Sequence, residues 1–285
     1  MMSERQTVFI TGASSGIGRA CAIRLAEAGC RVYGSARKGP PIEASRNLNS
    51  GESTGDSSLP YSFFHIDVRD EKSVADAVSF VATEAGRIDA VVNCAGISVG
   101  GSAEEMLIDE ARDQLETNFL GIVRVCKAVL PVMRRQQFGK IINISSLAGL
   151  MGVPFQSIYS ATKYAIEGFS ESLQMEVAPY GIRVVVIEPG NTATEQTENR
   201  KMSAGGAPGS VYEPALSRVM TEQARSERAG WPPERVARVV EKIVRSRHPH
   251  FRYKFGPFVE RISPAVRRVI PDRLFIKIVA SFFGM

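Results

Sequence analysis

The sequence predicts an α/β protein, a single-domain doubly wound parallel β-sheet flanked by helices, on three observations. A β-branched run, TVFIT at 7–11, ends in the glycine-rich turn GASSGIG and passes into a helical pattern, RACAIRLAEAG. Later runs are almost continuously apolar, the pattern of strands covered on both faces. Helical segments separate these runs, and such alternation implies right-handed crossovers into one parallel sheet.

The elements follow in order. In the first helix Ala20, Ile23 and residues 25–28 share an apolar side, and RVYGSA at 31–36 predicts the second strand. Residues 38–60, KGPPIEASRNLNSGESTGDSSLP, break the rhythm with Pro, Gly, Ser, Asn and charge, and predict a surface insertion. A helix over 72–85 leads to the strand IDAVVN at 88–93, and a long helix over 109–135 leads to KIINIS at 140–145. A helix starting near Ser157 precedes IRVVVIE at 182–188, and FRYKF at 251–255 is the last strand candidate. The polar, glycine-rich segment 191–210 follows Pro189-Gly190 at a strand's C-terminal end, where such sheets bind ligands. Residues 191–230 are therefore expected to form a substrate lid, and 256–285 a C-terminal helical extension of the same domain.

With 285 residues, 44% hydrophobic and 23% charged, the chain matches a globular domain that buries a substantial core. The net charge of +5 is uneven: from Trp231 onward twelve Lys or Arg stand against four acids, a local +8, leaving −3 for the first 230 residues. This argues against a nucleic-acid groove and for a basic C-terminal face. Cys21, Cys30, Cys94 and Cys126 form no paired spacing, and the opening MMSERQ is no apolar leader, so a reducing, cytoplasmic setting is expected. No apolar run is long enough for a membrane span. His65, His248 and His250 lack ligand spacing, so no metal is expected.

Gly12, Gly16 and Gly18 lie where a strand turns into a helix. A glycine turn there lets backbone approach a pyrophosphate, and the helix start offers free N–H groups and a positive dipole end. The bland alternative is a tight turn without a ligand. The second strand ends Ser35-Ala36-Arg37-Lys38, without the carboxylate that would receive the ribose hydroxyls of NAD. Arg37 suits a 2′-phosphate, so NADP(H) is the expected cofactor; the alternative is solvated strand-end charge.

In SIYSATKYAIEG, 157–168, Tyr159 and Lys163 share one helical face while Tyr164 points elsewhere. TGASSGIG at 11–18, HIDVRD at 65–70, NCAG at 93–96, LETNFLG around Asn118, SSLAG at 145–149, YSATK at 159–163 and PGNTAT at 189–194 together resemble the short-chain dehydrogenase/reductase family. The resemblance covers about residues 6–195, with Cys94 in place of the family's asparagine, and 145–173 is similar to its hydroxysteroid and retinol dehydrogenase branch. It implies a Rossmann-type fold and a catalytic set of Asn118, Ser146, Tyr159 and Lys163. Ser146, thirteen residues before Tyr159, fits the family interval, and Ser145, facing the other way on the strand, is expected to bond backbone. The resemblance further implies cofactor contacts from Gly12, Ser14, Ser15, Gly16, Ile17, Gly18, Arg37, Asp67, Val68, Asn93, Ala95, Gly96, Tyr159, Lys163, Pro189, Gly190, Thr192 and Thr194. Substrate contacts would come from Ser146, Val153, Tyr159 and Asn191.

Hydride transfer to a carbonyl carbon builds negative charge on oxygen, which Tyr159 would protonate while Ser146 hydrogen-bonds it. A phenol titrates near about 10, and the Lys163 ammonium favours its anion. By the resemblance Lys163 also holds the nicotinamide ribose, and Asn118 supports a water relaying protons to it. Tyr164 is expected to pack in the core. Leu150, Met151, Val153, Phe155 and 97–99 predict an apolar substrate, steroid-, retinoid- or lipid-like. A 3-oxoacyl thioester reductase, and a non-catalytic NADPH-binding sensor or scaffold, are the alternatives. The resemblance also implies a homodimer or homotetramer. The apolar tail RRVIPDRLFIKIVASFFGM predicts a terminal helix over the pocket or against a second subunit, or else an interfacial helix making peripheral contact with an anionic membrane.

Overall fold

In the computed structural model, which describes residues 5–42, 59–195, 197–206, 209–267 and 269–285, the apolar runs pair side by side. The strands are β1 (Thr7–Thr11), β2 (Arg31–Ala36), β3 (Ser62–His65), β4 (Ala90–Asn93), β5 (Val99–Gly100), β6 (Gly139–Ile144), β7 (Ile182–Pro189), β8 (Lys201–Met202) and β9 (Arg252–Phe255). Seven of them form one parallel sheet in the order β3-β2-β1-β4-β6-β7-β9, while β5 and β8 pair separately. The chain builds outward from β1 to β3 and then restarts at β4 on the other side of β1. That reversal opens a crevice at the strands' C-terminal ends.

Alternation along each strand divides the core in two. Phe9, Tyr33, Phe64, Val91, Ile141 and Val184 face one side; Val8, Ile10, Val32, Val92, Ile142 and Val185 face the other. The first side is covered by α2 (Glu71–Ala85), α4 (Gly121–Gln136) and α5 (Ser157–Val177), and the second by α1 (Gly16–Glu27) and α7 (Pro233–Arg245). Further α-helices among the described residues are α3 (Ile108–Leu115), α6 (Glu213–Arg228), α8 (Phe258–Val266) and α9 (Asp272–Phe282). Local chemistry sets several boundaries. Asp70 caps α2 by accepting from the Lys72 and Ser73 N–H groups, and Gly86, with φ 74°, ends it.

The helix expected over 109–135 is interrupted. After α3 a π turn spans Glu116–Leu120, with the Gly121 N–H donating to the Glu116 carbonyl, before α4 resumes. The cause is tertiary: the turn carries Asn118 to the backbone of Ile97. Strand β3 was not expected because SFFH shows no alternation of apolar and polar side chains, and β5 and β8 have only two residues each. Most of the insertion expected over 38–60 lies outside the described residues. Among the described residues no helix is long and apolar enough to cross a membrane.

Candidate active site

A cleft of about 1230 Å³ opens at the crevice. Its first wall is the turn between β1 and α1. Gly12 has φ 70°, and a Cβ there would lie 2.8 Å from the Ala95 nitrogen; a Cβ on Gly18 would collide with the Gly12 carbonyl oxygen. These contacts lock the glycine turn to the turn after β4, which also donates two N–H groups, from Cys94 and Ala95, to the Thr11 hydroxyl at 3.3 Å. The start of α1 then presents the Gly16 N–H, which donates to the Glu195 carboxylate at 3.0 Å. An acidic oxygen at a helix N-terminus marks an anion site.

Gly12, Ser14, Ser15, Gly16, Ile17, Gly18, Arg37, Val68, Ala95, Gly96, Pro189, Gly190, Thr192 and Thr194 all line the cleft. Asp67 and Asn93 do not. The Asp67 carboxylate accepts from Arg69 Nε at 3.1 Å and from the guanidinium NH2 at 2.8 Å, and this pairing holds it below the ordinary carboxylate range. The Asn93 side chain is buried, its amide donating to Asn143 at 2.8 Å. Arg69 and Lys38, which the sequence reading did not assign, join Arg37 on the wall; for Arg69 the signal was its place two residues after Asp67.

The second wall carries Ser146, Tyr159 and Lys163. Ser146 lies just beyond β6 in extended backbone and caps the short turn Leu147–Gly149. Its hydroxyl accepts from the Ala148 N–H at 3.1 Å and reaches the Pro189 carbonyl at 3.4 Å. Lys163 is 7% exposed; its ammonium donates to the Ile144 carbonyl at 2.9 Å and lies 5.6 Å from the Tyr159 ring centre. Burial pushes its pKa down to about 8, so it keeps most of its charge at neutral pH. Asn118 stands behind this wall, not on it. Its amide donates to the Ile97 carbonyl at 2.9 Å and accepts from the Ile97 N–H at 2.8 Å, and it also reaches the Thr162 hydroxyl, between Tyr159 and Lys163 in sequence, at 3.3 Å.

Ser145 differs from expectation: its N–H continues the ladder to Ile187, but its hydroxyl lies beside the Glu167 carboxyl. Glu167, one turn beyond Lys163, and Glu188 of β7 share Arg252, at 3.3 and 3.2 Å. Glu188 is 0% exposed. Burial, then the charge of Glu167, pushes its carboxyl up to about 7, against the pull of Arg252 and Lys254. Burial likewise raises Glu167.

Tyr164 is not a core residue. It is 39% exposed and receives a hydrogen bond from Arg267, because the inner face of α5 is taken by Lys163, Ile166, Glu167 and Ser170. Arg267 belongs to the C-terminal arm formed by α8 and α9, which supplies a third wall. Glu260 of α8 accepts from the Asn191 backbone N–H at 2.9 Å and from its side-chain amide at 2.7 Å, tying the arm to the loop after β7. Val259, Ile262, Val266, Phe275, Val279 and Phe283 line the cleft from the arm. Of the apolar residues expected around the substrate, Ile97, Met151 and Val153 line it, while Val99, Leu150 and Phe155 do not. Asn191 lines it as well.

The chain matches the short chain dehydrogenase family model over residues 6–204. It is 38% identical over 282 residues to the 3-ketodihydrosphingosine reductase of Bacteroides thetaiotaomicron, covering 99% of each chain. It is 32% identical to retinol dehydrogenase 8 of Bos taurus, covering 88% of this chain and 82% of the relative. Among solved structures, a short-chain dehydrogenase from Streptomyces avermitilis superposes with a TM-score of 0.77 at 29% identity, covering 94% of each chain. With a glycine turn, Ser146, Tyr159 and Lys163 meeting in one cleft, the chain belongs to the short-chain dehydrogenase/reductase family of oxidoreductases, in its hydroxysteroid and retinol dehydrogenase-like branch.

Proposed function

We propose that this protein is an NADP(H)-dependent oxidoreductase interconverting a hydroxyl and a carbonyl group on an apolar, steroid-, retinoid- or lipid-like substrate. The observation that carries the reading is the meeting in one cleft of Ser146, Tyr159 and Lys163 with an apolar wall from the C-terminal arm. The cofactor fits the residues present. Glu195 already places an anion on the Gly16 N–H, and Arg37, Lys38 and Arg69 line the same cleft as a set of cations for a 2′-phosphate.

When bound, NADPH supplies the hydride. Gly12, Gly16 and Gly18 would let backbone approach the pyrophosphate, and Thr192 and Thr194, which also line the cleft, would hold the nicotinamide end. Ser146 donates a hydrogen bond to the substrate carbonyl oxygen, holding it beside Tyr159. The Tyr159 hydroxyl gives up its proton as negative charge develops there, and the Lys163 ammonium stabilises the phenolate left behind. Asn118 acts at one remove, fixing the loop at Ile97 and the turn of α5 between Tyr159 and Lys163. Residues 191–230 serve as lid: Asn199, Gln223 and Glu227 line the cleft from that segment. Assembly into a dimer or tetramer through α4 and α5 is part of this proposal.

A screen by nicotinamide absorbance tests it, with a 3-keto sphingoid base, a retinoid, a steroid ketone and a 3-oxoacyl thioester, each with NADPH and NADH. The 38% identical relative makes the long-chain ketone the first substrate to try. Replacing Tyr159 with Phe should lower kcat by about 100- to 10,000-fold while NADPH still binds. Full turnover in that variant would overturn the mechanism. Cofactor binding without turnover of any substrate would favour a sensor. Arg37→Ala should raise the KM for NADPH by about tenfold or more without affecting NADH, and an equal effect on both would refute the assignment of the 2′-phosphate.

A further inference from the structure

The C-terminal arm has two apolar sides, and the cleft uses only one. Phe275 and Phe283 are buried against the cleft. On the other side Phe258 is 70% exposed, and Leu274, Ile276 and Met285 are also exposed large apolar side chains, with Val269 in the turn between the helices. Between the two sides lies a rim: Val259, Ile262, Ile278 and Phe282 line the cleft and are exposed as well. Val259 is 73% exposed and Phe282 61%. The cleft therefore opens through apolar surface of a kind that isolated soluble proteins seldom display.

The charge on the arm indicates what covers it. Residues 256–285 carry five Lys or Arg against two acids. Both acids are engaged, Glu260 by Asn191 and Asp272 by Arg267 at 4.0 Å. Arg261, Arg273 and Lys277 have no ion pair among the described residues and flank the exposed apolar side chains in sequence. A second copy of this arm would bring those cations against their own kind. An anionic lipid leaflet would accept the apolar side chains below its headgroups and pair the cations with them.

We propose that α8 and α9 dock on an anionic membrane leaflet, so that the mouth of the cleft meets the hydrocarbon and a lipid ketone reaches Tyr159 without crossing water. This rests on the reading of the cleft as an oxidoreductase site for an apolar substrate, and its test is kept separate from turnover. The full chain is pelleted with vesicles of phosphatidylcholine alone and of phosphatidylcholine with phosphatidylglycerol. The expected result is binding that favours the anionic vesicles and weakens with salt, since each cation at such a surface raises partition about fivefold. A Phe258→Glu, Leu274→Glu, Ile276→Glu variant, none of whose sites lines the cleft, should bind at least about tenfold less. It should keep its turnover of a water-soluble ketone, which shows that it is folded. An Arg273→Gln, Lys277→Gln variant should lose the preference for anionic vesicles. Absence of binding by the native chain would overturn the proposal, as would undiminished binding by the triple variant. So would a dimer in sedimentation that the triple variant abolishes in a chain that ignores vesicles, which would assign the face to a second copy. If no tested substrate turns over but vesicle binding behaves as described, the docking surface stands and the substrate assignment fails.

Discussion

The Glu195 contact predicts that apo protein competes with its own cofactor. Glu195 accepts from the Gly16 N–H at the start of α1, across 179 residues of sequence, at the place where a glycine turn holds a pyrophosphate. A hydrogen bond to a charged group contributes about 1.5–3 kcal/mol, but screening at an exposed helix end reduces an anion's contribution to about 0.3–1 kcal/mol. Taking about 1 kcal/mol, Glu195→Ala should tighten NADPH binding about fivefold, because the dinucleotide no longer displaces a carboxylate from the same N–H. The same loss should lower the Tm of the apo protein by about 2 °C and leave that of the NADPH-saturated protein unchanged. Fluorescence titration of NADPH gives the Kd, and a thermal scan with and without cofactor gives the second half of the cycle. Unchanged or weaker binding in the variant, with the apo Tm lowered as expected, would refute the competition.

Three further outcomes follow from particular contacts. Gly18→Ala should abolish NADPH binding and destabilise the fold by about 1–3 kcal/mol or more, because the new methyl meets the Gly12 carbonyl, a backbone group that cannot swing aside; near-native affinity by titration would contradict this. Carbonyl reduction should slow as pH rises above about 8, where Lys163 loses its proton; a rate flat to pH 10 would show that the ammonium is not needed. Glu188, held near 7 rather than the ordinary 4.5, binds a proton in the folded chain that the unfolded chain has released. Stability from it is therefore complete below about pH 4.5 and declines as pH rises through 7. Glu188→Gln should flatten that decline, read as urea midpoints at pH 5 and 8, and an undiminished slope would place its origin elsewhere.

Features that depend on neighbours along the chain can be read without the fold. Alternation and apolar runs specify β1, β2, β4, β6 and β7, since side chains on a strand must point alternately to two buried faces. The glycine turn at 12–18 is legible for a similar reason: Gly12 and Gly16 adopt positive φ, which is a local backbone demand. Tyr159 and Lys163 are one helical turn apart, so their shared face can be read without a structure.

Contacts between residues far apart in the chain are encoded by no local pattern and arise only on folding. Asn118 breaks a predicted helix because Ile97, twenty-one residues back, takes both ends of its amide. Tyr164 turns from the core to Arg267, drawn by a guanidinium 103 residues on. Ser145 and Ser146 both reach the cleft, but only the fold sets the Ser145 hydroxyl beside Glu167 and the Ser146 hydroxyl on the Ala148 N–H. The tail's apolar residues could have packed anywhere; Glu260, seated against Gly190 and Gly256, which leave room for its carboxylate, sets them over the site. Burial then did what composition could not, lowering Lys163 to about 8 and raising Glu188 to about 7, because the cost of a charge depends on what surrounds it after folding.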